Sequence, residues 1–566
     1  MTKKIKNIFN FLDKHLILIL AGILIGFIPL YPKIPLFSPI EEYIVRVRLE
    51  DLLIALVIPI TFIQILRKKV RWHPVMTKLI LVYAAVGLLS TLSAVFITKT
   101  VPLVPVHIGK TLLHYFRYLE YFSVFFVSFA AIRSRQDVKK LLLVVVLTII
   151  AIGFYGYMQK FFYWPVYSTM NREFSKGIRL YLTEHARIQS TFAGHYDMAA
   201  FLVITLPLVL SLGLTEKKWK KVVLYLTFFI GSWLVVMSAS RMPFAAYIIA
   251  CLGVIAFLGF NQKAWLNKFK FWLTRFLGFG LMLFFLLFYF GQSMLDRLST
   301  IISTSDKPLD LTELLDSALE NWPIPKSQEL YALLPKSIQL PSESEPAPTA
   351  DEILLAQVAS QADQPPTSVK PTVADSKPRD VYVDVPEPIV EEVTLEDGRV
   401  ESVLLHKQRT FSDCALKHEL SLCIRLESLW PWAIQSFETN PVLGTGYATL
   451  NKQFAADFTF ADSTDNNYLR TLGETGLLGF LSFYGIIAYL IFITSKQYRQ
   501  LQTPSEKALL LGFTAGSCGL LINAVYTDVF AASKVAYTYW LLAGLVLGSI
   551  SLQNNQAKKS QAKSKK

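Results

Sequence analysis

Long apolar runs recur from one end of the chain to the other, separated by polar or charged connections. A run of about 17–22 apolar residues can cross a hydrocarbon layer of ~30 Å as a helix. Lipid offers the backbone no hydrogen-bonding partner, so a helix is the form in which a single segment crosses. The pattern predicts an all-α polytopic membrane protein with about twelve transmembrane helices, at residues 15–31, 51–66, 77–97, 115–132, 141–158, 197–214, 221–238, 243–260, 271–291, 476–494, 508–528 and 534–551.

The composition favours the same class. Of the 566 residues, 53% are hydrophobic and 17% are charged, and the mean hydropathy is +0.41. These values are too apolar for an ordinary soluble protein of this length. The first run, at 15–31, has no small-residue cleavage site before Tyr31 and precedes many more runs. We therefore interpret it as a retained helix and not as a cleaved signal peptide.

The basic residues fall in alternate connections between the apolar runs. A net charge of +14 could indicate nucleic-acid binding, but this distribution is typical of membrane topology. The positive-inside rule assigns every basic cluster to the cytoplasm, which predicts two cytoplasmic termini, a location in the cytoplasmic (inner) membrane and no nucleic-acid partner. The clusters lie at 2–6, 67–71, 133–140, 216–221, 261–270, 495–500 and the C-terminal tail.

This topology leaves a large extracytoplasmic loop between the ninth and tenth spans. The predicted organisation is a membrane domain of nine spans, an extracytoplasmic insertion, an extracytoplasmic helical segment, a membrane part with spans ten to twelve, and a basic cytoplasmic tail. Their boundaries are 1–291, 292–410, 411–475, 476–551 and 552–566.

The insertion is rich in Pro, Ser, Ala and acidic residues from about 304 to 410, a mixture that buries little apolar surface. We expect it to be flexible, apart from a small hairpin around Asp397 and Gly398. After 411 the pattern changes to helical spacing through 421–437, which Asn440-Pro441 should end.

Four cysteines are too few for a disulfide scaffold. Cys251 and Cys518 lie within apolar spans, whereas Cys414 and Cys423 lie in the large outer loop. An oxidising exterior favours a bridge between the latter two, and a reducing setting favours two separate thiols. The sequence leaves both alternatives open.

An acidic and amide-rich cluster leads directly into the tenth span. Asp465, Asn466 and Asn467 are expected to cap this helix, because Asp and Asn side chains accept N–H bonds at helix starts. Carboxylates at a membrane edge are functional or paired. Glu474 is therefore expected to pair with Arg470 or Arg425.

An ordered set of motifs surrounds this cluster. The string "RLESLWPWAIQSFETNPVLGTGYATL" begins at Arg425, and "DNNYLRTLGETGLLG" begins at Asp465. Together they resemble the signature region of the O-antigen ligase and polymerase superfamily: an arginine, a tryptophan, an Asn-Pro-x-x-Gly-x-Gly turn, an Asn-x-Tyr-Leu element and a Glu-x-Gly-x-x-Gly helix start. Upstream strings at 47–56, 116–126, 187–210 and 237–250 extend the resemblance to most of the chain outside 300–410.

The resemblance implies a GT-C-type membrane glycosyltransferase whose active site faces outward. Such enzymes transfer a glycan from an undecaprenyl-diphosphate carrier to a lipid, glycan or protein acceptor, for cell-surface polysaccharide assembly. The family is thought to need no metal, and we expect no cofactor; we find no outward Asp-x-Asp or histidine cluster in the sequence. Membrane lipids are the other expected partners.

Outward arginines should stabilise the charge of a diphosphate leaving group. Arg241 stands in a very short outer connection and matches the family pattern, although an arginine there could also snorkel to the lipid surface. Arg425 matches the second arginine, with an ion pair to Glu427 or Glu419 as the alternative. Arg187 could complete a basic vestibule or serve as an interfacial anchor.

The remaining candidate residues are expected to transfer a proton or to bind sugar. Asp465 occupies the place where many ligases have histidine, so a carboxylate would accept the acceptor proton or orient the hydroxyl. The departure puts lipid A as acceptor in doubt. His195 and Asp197 begin the sixth span and could contact sugar hydroxyls or phosphate. The expected catalytic residues are Asp465, Arg241 and Arg425; the expected substrate-binding residues are Arg187, His195, Asp197, Asn466, Asn467 and Glu474.

Two other classes of protein, a transporter and a scaffold, are alternatives to the enzyme. A transporter of a small anion such as bicarbonate would gather polar residues near the bilayer midplane on broken helices. The middles of the apolar runs here contain few polar residues, which cluster at the predicted outer ends instead. A scaffold that only presents the insertion would leave the ordered motifs unexplained.

Overall fold

A computed structural model describes residues 2–38, 46–68, 70, 72–170, 172–183, 186–295, 387–394, 400–407, 411–450, 463–501 and 503–564. The described chain is mostly helical. Its helices are α1 Thr2–Leu30, α2 Leu49–Leu66, α3 Pro74–Phe96, α4 Pro105–Ala131, α5 Arg135–Phe162, α6 Arg172–Ser175, α7 His195–Thr215, α8 Lys218–Met237, α9 Arg241–Phe260, α10 Trp265–Phe290, α11 Asp413–His418, α12 Leu420–Ile424, α13 Trp430–Thr439, α14 Asn467–Tyr498, α15 Pro504–Asn523 and α16 Ser533–Ser564, with a π-helical turn Arg425–Leu429 between α12 and α13.

Within the described ranges, nine helices are long and apolar enough to cross a membrane. This confirms a polytopic all-α membrane protein; the count of twelve stays a prediction. The most central helices are α7 and α16, whose apolar windows are almost entirely buried. Helix α7 packs on α8, α9 and α15, and α16 packs on α4. The nine helices are α2, α3, α5, α7, α8, α9, α10, α14 and the part of α16 up to Asn554.

The helix boundaries follow local sequence signals. The Ser134 side chain caps α5 and exchanges bonds with Asp137, and Tyr163 ends that helix in the left-handed conformation. Proline occupies the first turn of α3, α4 and α15, where its missing N–H costs no helix bond. The cap of α14 is Asn466, which accepts bonds from the backbone N–H groups of Tyr468 and Leu469 at 3.0 Å.

Strands are few and short in the described residues. β1 (Pro35–Phe37) pairs with β2 (Val47–Arg48) just before α2. β3 (Glu387–Thr394) pairs antiparallel with β4 (Val400–Lys407), which confirms the predicted hairpin around residues 397 and 398. The turn itself, and the predicted flexibility of the rest of the insertion, lie outside the described residues.

The connections between helices separate into two sets. At one end of the bundle, Lys33 bonds Ser533, Thr191 bonds the carbonyl of Pro29, and the Asn467 N–H bonds the carbonyl of Ala524. At the other end, Glu506 pairs with Arg135 and Ser505 bonds Glu216. The charge pattern predicts the same division, with the first set outside and the second in the cytoplasm.

Helix α14 is interrupted at Gly476, where φ is 64° and ψ is −168°. The tenth apolar run was expected to begin at this residue, yet one helical piece precedes the interruption and another follows it. The N–H groups of Leu477 and Leu478, which lose their helical partners, donate to the carbonyls of Pro441 and Val442. The interruption is therefore held by the turn that follows α13.

Candidate functional site

The turn at Asn440–Gly446 interlocks with the interrupted helix. The Thr445 and Gly446 N–H groups donate to the carbonyls of Gly473 and Glu474, each at 2.9 Å. A Cβ atom on Gly444 would lie 2.5 Å from the Glu474 carbonyl carbon, and one on Gly476 would lie 2.4 Å from that of Val442. Both glycines also have positive φ. In the sequence, Gly444 and Gly446 predict a turn with close backbone approach, and these contacts to the α14 backbone confirm it. The signature region (residues 425–450 and 463–479) is one packed unit.

Arg470 lies at the centre of a buried charge cluster. Its Nε is 3.3 Å from Glu474 Oε1, and its Nη1 is 3.0 Å from Asp528 Oδ2. All three side chains are at most 10% exposed. Asp528 also accepts bonds from the backbone N–H groups of Thr464 and Asn466. The cluster therefore joins α14 to the connection between α15 and α16, and Glu474 pairs with Arg470, one of its two expected partners.

Arg425 and Asp465 form an ion pair, with 3.0 Å between Nη2 and Oδ2. The Arg425 guanidinium also lies over the Tyr526 ring, 4.9 Å from its centroid, and bonds Ser421. Asp465 has a φ of 49° and accepts a bond from Ser463. The alternative partners of Arg425, Glu427 and Glu419, are not the ones it contacts. The expected cap role of Asp465 and Asn467 is also wrong, because only Asn466 has its side chain on the free N–H groups.

Arg241 pairs with Glu419, with 2.7 Å between Nη2 and Oε2. Glu419 directly precedes α12, and Cys423 within α12 is joined to Cys414 by a disulfide. The structure therefore contains the bridge, one of the two alternatives that the sequence left open. Because Arg425 follows α12, this short helix connects both expected catalytic arginines, each bound to a carboxylate.

Two of the other expected residues meet before α7. Arg187 Nη1 lies 2.6 Å from His195 Nε2. Asn467 is fully buried; its amide nitrogen donates to Tyr484 and its carbonyl accepts from the Phe530 N–H. Asn466 and Asn467 thus bind helix ends together, and their expected contact with substrate stays a prediction.

A cavity of about 530 Å³ opens at the same end of the bundle. Its wall comes from the segment between α1 and α2 with the start of α2, the middle of α4, the segment before α7 with the start of α7, Arg470 of α14, and the start of α16 with the residues before it. Three carboxylates line it, those of Asp51, Glu120 and Asp197. Six cationic side chains line it as well, those of Lys33, Arg46, Arg48, Arg117, Arg470 and Lys534. Of the expected site residues, only Asp197 reaches the cavity.

Several of the cavity cations are held by protein groups. Lys33 pairs with Glu50 at 2.5 Å, and Arg117 pairs with Asp51 and Glu120. Lys534 donates to the carbonyls of Pro29, Tyr31 and Thr191 at 2.6–2.9 Å. Burial lowers the pKa of Lys33 from its usual value, and the Glu50 carboxylate opposes that shift. These contacts fix the cavity wall.

Arg48 and Asp197 have fewer partners. Arg48 is 7% exposed, and its Nε has no hydrogen bond from the described chain. Burial lowers its pKa from the usual value, which reflects the cost of an enclosed charge. Asp197 is half-buried, and within the described residues its carboxylate has no hydrogen bond; the nearby cations are Lys33 and Lys534.

Sequence reasoning missed the cationic wall and Asp528. Arg46 and Arg48 lie in the string "VRVRLEDL", where alternating arginines precede an apolar run. Such alternation could have indicated two cations on one face of an extended segment. Asp528 is the last residue of the predicted run at 508–528 and the one acidic residue within 508–551, a signal equally compatible with an ordinary turn residue. In the part of the chain that is described, no group of three His, Cys, Asp or Glu residues could hold a metal ion.

The chain matches no model of a known protein family, and no curated protein matches it either. The likeness of the signature region to O-antigen ligases and polymerases therefore remains a resemblance in motifs. What the structure adds is local: the Asn-Pro-x-x-Gly-x-Gly turn and the Glu-x-Gly-x-x-Gly helix start are bonded to each other.

Proposed function

We propose that the protein is a metal-independent membrane glycosyltransferase that transfers or polymerises undecaprenyl-diphosphate-linked oligosaccharide on the outer face of the cytoplasmic membrane. The observation that carries the proposal is the cavity of about 530 Å³ at the end of the bundle predicted to face outward, whose lining includes the guanidinium groups of Arg46 and Arg48 without an ion pair to a carboxylate of the described chain. Guanidinium groups that are not neutralised by an ion pair suit a diphosphate-linked donor. The product would be a cell-surface polysaccharide.

The reaction forms one bond and breaks another. The acceptor hydroxyl oxygen attacks the anomeric carbon of the donor sugar, and the bond from that carbon to the diphosphate oxygen breaks. The electron pair goes to the diphosphate, whose growing negative charge is stabilised by fixed cations in a partly dry site. Guanidinium groups suit this role because they donate paired N–H bonds to phosphate oxygens.

The proton of the acceptor hydroxyl goes to a carboxylate. Asp197 suits this role, because it lines the cavity and accepts no hydrogen bond from the described residues. Asp465, the expected base, is engaged by Arg425 and Ser463 outside the cavity wall. We therefore assign proton acceptance to Asp197 and assign to the Arg425–Asp465 pair the positioning of the signature region.

The interrupted helix α14 bears on the transporter alternative. Transporters use exposed backbone groups at such interruptions to bind ions. Here the freed N–H groups of Leu477 and Leu478 are bonded to Pro441 and Val442, so that they offer no ion site. The polar cavity also lies at the end of the bundle that is predicted to face outward. Both features favour chemistry at the surface of the membrane over passage through it.

The test is a glycan gel of the producing cells, with lipid extracts analysed in parallel. Cells with wild-type protein are compared with cells carrying Asp197→Asn or Arg425→Ala, at matched membrane expression. We expect loss of long surface glycan and accumulation of diphosphate-linked precursor in both variants. Single-repeat chains would indicate a polymerase, and unmodified acceptor would indicate a ligase.

Arg499→Ala is the matched control, since Arg499 is exposed at the opposite end of α14. It should leave glycan and precursor at wild-type levels. Normal glycan and normal precursor in Asp197→Asn and Arg425→Ala cells would overturn the proposal. Uptake of small anions such as bicarbonate would then be measured in the same cells.

A further inference from the structure

Arg46 and Arg48 stand out among the cavity cations because no carboxylate of the described chain pairs with them. They flank Val47 on an extended segment, where alternate side chains point to the same face. Both line the cavity. Arg46 makes one long bond, 3.5 Å from Nε to Ser175, and Arg48 keeps a buried Nε without a hydrogen bond.

The nearest carboxylates form their ion pairs with other cations. Lys33 binds one oxygen of Glu50, and Asp51 is bound by Arg117 and by the backbone N–H of Arg48. Glu50 lies close enough to favour the Arg48 charge, but it forms no ion pair with Arg48. A guanidinium that is nine-tenths buried without a paired anion is costly. Such an arrangement persists where an anion from outside the chain completes it, and two forked cations two residues apart suit a diphosphate.

An apolar groove continues from the cavity. It has a volume of about 460 Å³ and runs along the first half of α4. Its lining includes Val106, Gly109 and Leu112, and it shares Leu113 and Phe116 with the cavity wall. A Cβ atom on Gly109 would meet no atom within 4 Å, so this position is open space. The groove and the cavity together are shaped for an amphipathic molecule with a charged head and an apolar tail.

We propose that Arg46 and Arg48 bind the diphosphate of a prenyl-type carrier lipid and that the groove along α4 holds the first isoprene units of its chain. This proposal rests on the proposed function and deepens it, because it assigns binding of the donor diphosphate to Arg46 and Arg48 instead of Arg241 and Arg425. Those two arginines are held by Glu419 and Asp465. The groove commits the ligand to a lipid source and not to free diphosphate.

Binding is measured directly on the purified full-length protein in detergent, with farnesyl diphosphate and inorganic diphosphate as separate probes. Arg46→Gln and Arg48→Gln should each raise the dissociation constant for both probes about tenfold, the usual effect of losing one charge-assisted hydrogen bond. Arg499→Gln, at the exposed control position, should bind both probes like wild type. Wild-type binding by the Arg46→Gln, Arg48→Gln double variant would overturn the proposal, as would wild-type protein that binds neither probe.

The groove has its own test. Gly109→Phe fills the open space and should weaken the binding of farnesyl diphosphate about tenfold. The affinity for inorganic diphosphate should stay unchanged. Equal affinity of the wild-type protein for the two probes, insensitive to Gly109→Phe, would overturn the lipid assignment.

Thermal unfolding separates a binding role from a structural one. Without ligand, Arg48→Gln should unfold at the wild-type temperature or above it, because it removes an uncompensated buried charge. A lower unfolding temperature would mean that Arg48 holds the fold, against the proposal. Failure of the proposed function is a different result: farnesyl diphosphate then binds with the expected dependence on Arg46 and Arg48, but glycan and precursor stay normal in Asp197→Asn cells.

Discussion

The signature region and the cavity wall both contain arginines at the same end of the bundle, yet they use them differently. Arg425 of the signature region is bound to Asp465, and Arg241 next to this region is bound to Glu419. In the cavity wall, Arg46 and Arg48 have no carboxylate partner from the described chain. The ordered set of motifs therefore marks a region whose arginines are bound by carboxylates. The arginines without a carboxylate partner lie in the neighbouring cavity wall.

The difference has a physical cause. The signature region joins a π-helical turn, α13, a tight turn and the start of α14. Its turn and connecting segments need backbone and side-chain bonds to be ordered. The cavity wall is built on segments that the helices already hold in place, such as Lys534 with its three carbonyl partners. Charges on such a wall can stay available for a ligand. Four predictions can break this comparison or sharpen it.

The largest expected effect is on the rate of transfer. Asp197→Asn removes the proposed proton acceptor and should lower the initial rate about 10²–10⁴-fold, the usual contribution of general base catalysis. Asp465→Asn should lower it much less, because the amide still fills the place beside Arg425. Both rates are measured in membranes with matched expression and a lipid-linked donor. A larger loss of rate for Asp465→Asn would mean that Asp465, and not Asp197, accepts the proton.

Arg470→Ala should destabilise the protein, because Arg470 belongs to the signature region and also lines the cavity. It leaves the Glu474 and Asp528 carboxylates buried without their cation, which costs about 3–5 kcal/mol. We expect a clear fall in the unfolding temperature of the detergent-solubilised protein. Arg499→Ala is the exposed control and should stay within about 0.5 kcal/mol of wild type. Unchanged stability of Arg470→Ala would mean that the cluster is not needed for the fold.

Gly476→Ala tests the interlocked turn. A Cβ atom there would lie 2.4 Å from backbone atoms of Val442, and the positive φ is strained for alanine, so we expect a loss of about 2–4 kcal/mol. Gly278→Ala in α10 is the matched control, since its Cβ would meet no atom within 4 Å. That variant should keep or gain stability, because alanine favours a helix. Equal stability of the two variants would contradict the interlock.

Much of this architecture could be predicted from local sequence. The apolar runs lie in helices, Asn440-Pro441 ends α13 at Thr439, and the glycine turn approaches another backbone. The partners of the charged residues could not be predicted. Arg425 pairs with Asp465 across 40 positions and Lys33 bonds Ser533 across 500. Such pairs depend on which helix ends meet, and an apolar run carries no information about that.

The candidate site shows the same division. The resemblance selected residues by their order along the chain, and several of them hold the turn and the cap of α14. The cavity is assembled from five parts of the chain that are distant in sequence. Glu50 and Asp51 are the acidic residues next to Arg46 and Arg48 in the sequence, but they form their ion pairs with Lys33 and Arg117. Availability of a charge is a property of the fold and not of the motif.

The smallest effect concerns the disulfide under the signature region. Cys414→Ala removes a bridge that closes a short loop, which should cost about 2–3 kcal/mol in the local stability of α11 and α12. Because Glu419 lies between the bridged cysteines, its hold on Arg241 should loosen, and protease cleavage near this loop should become faster than in wild type.

Thiol counting verifies the bridge independently. In denaturant without reductant, only Cys251 and Cys518 should react in the wild-type protein, and reduction should release two more thiols. If all four thiols react before reduction, the bridge is absent, and the segment must then be held by the Arg241–Glu419 and Arg425–Asp465 pairs alone. We expect faster cleavage in the Cys414→Ala variant, with an unchanged transfer rate and an unchanged affinity for farnesyl diphosphate. That result would mean that the bridge stabilises the fold, whereas the cavity binds the substrate.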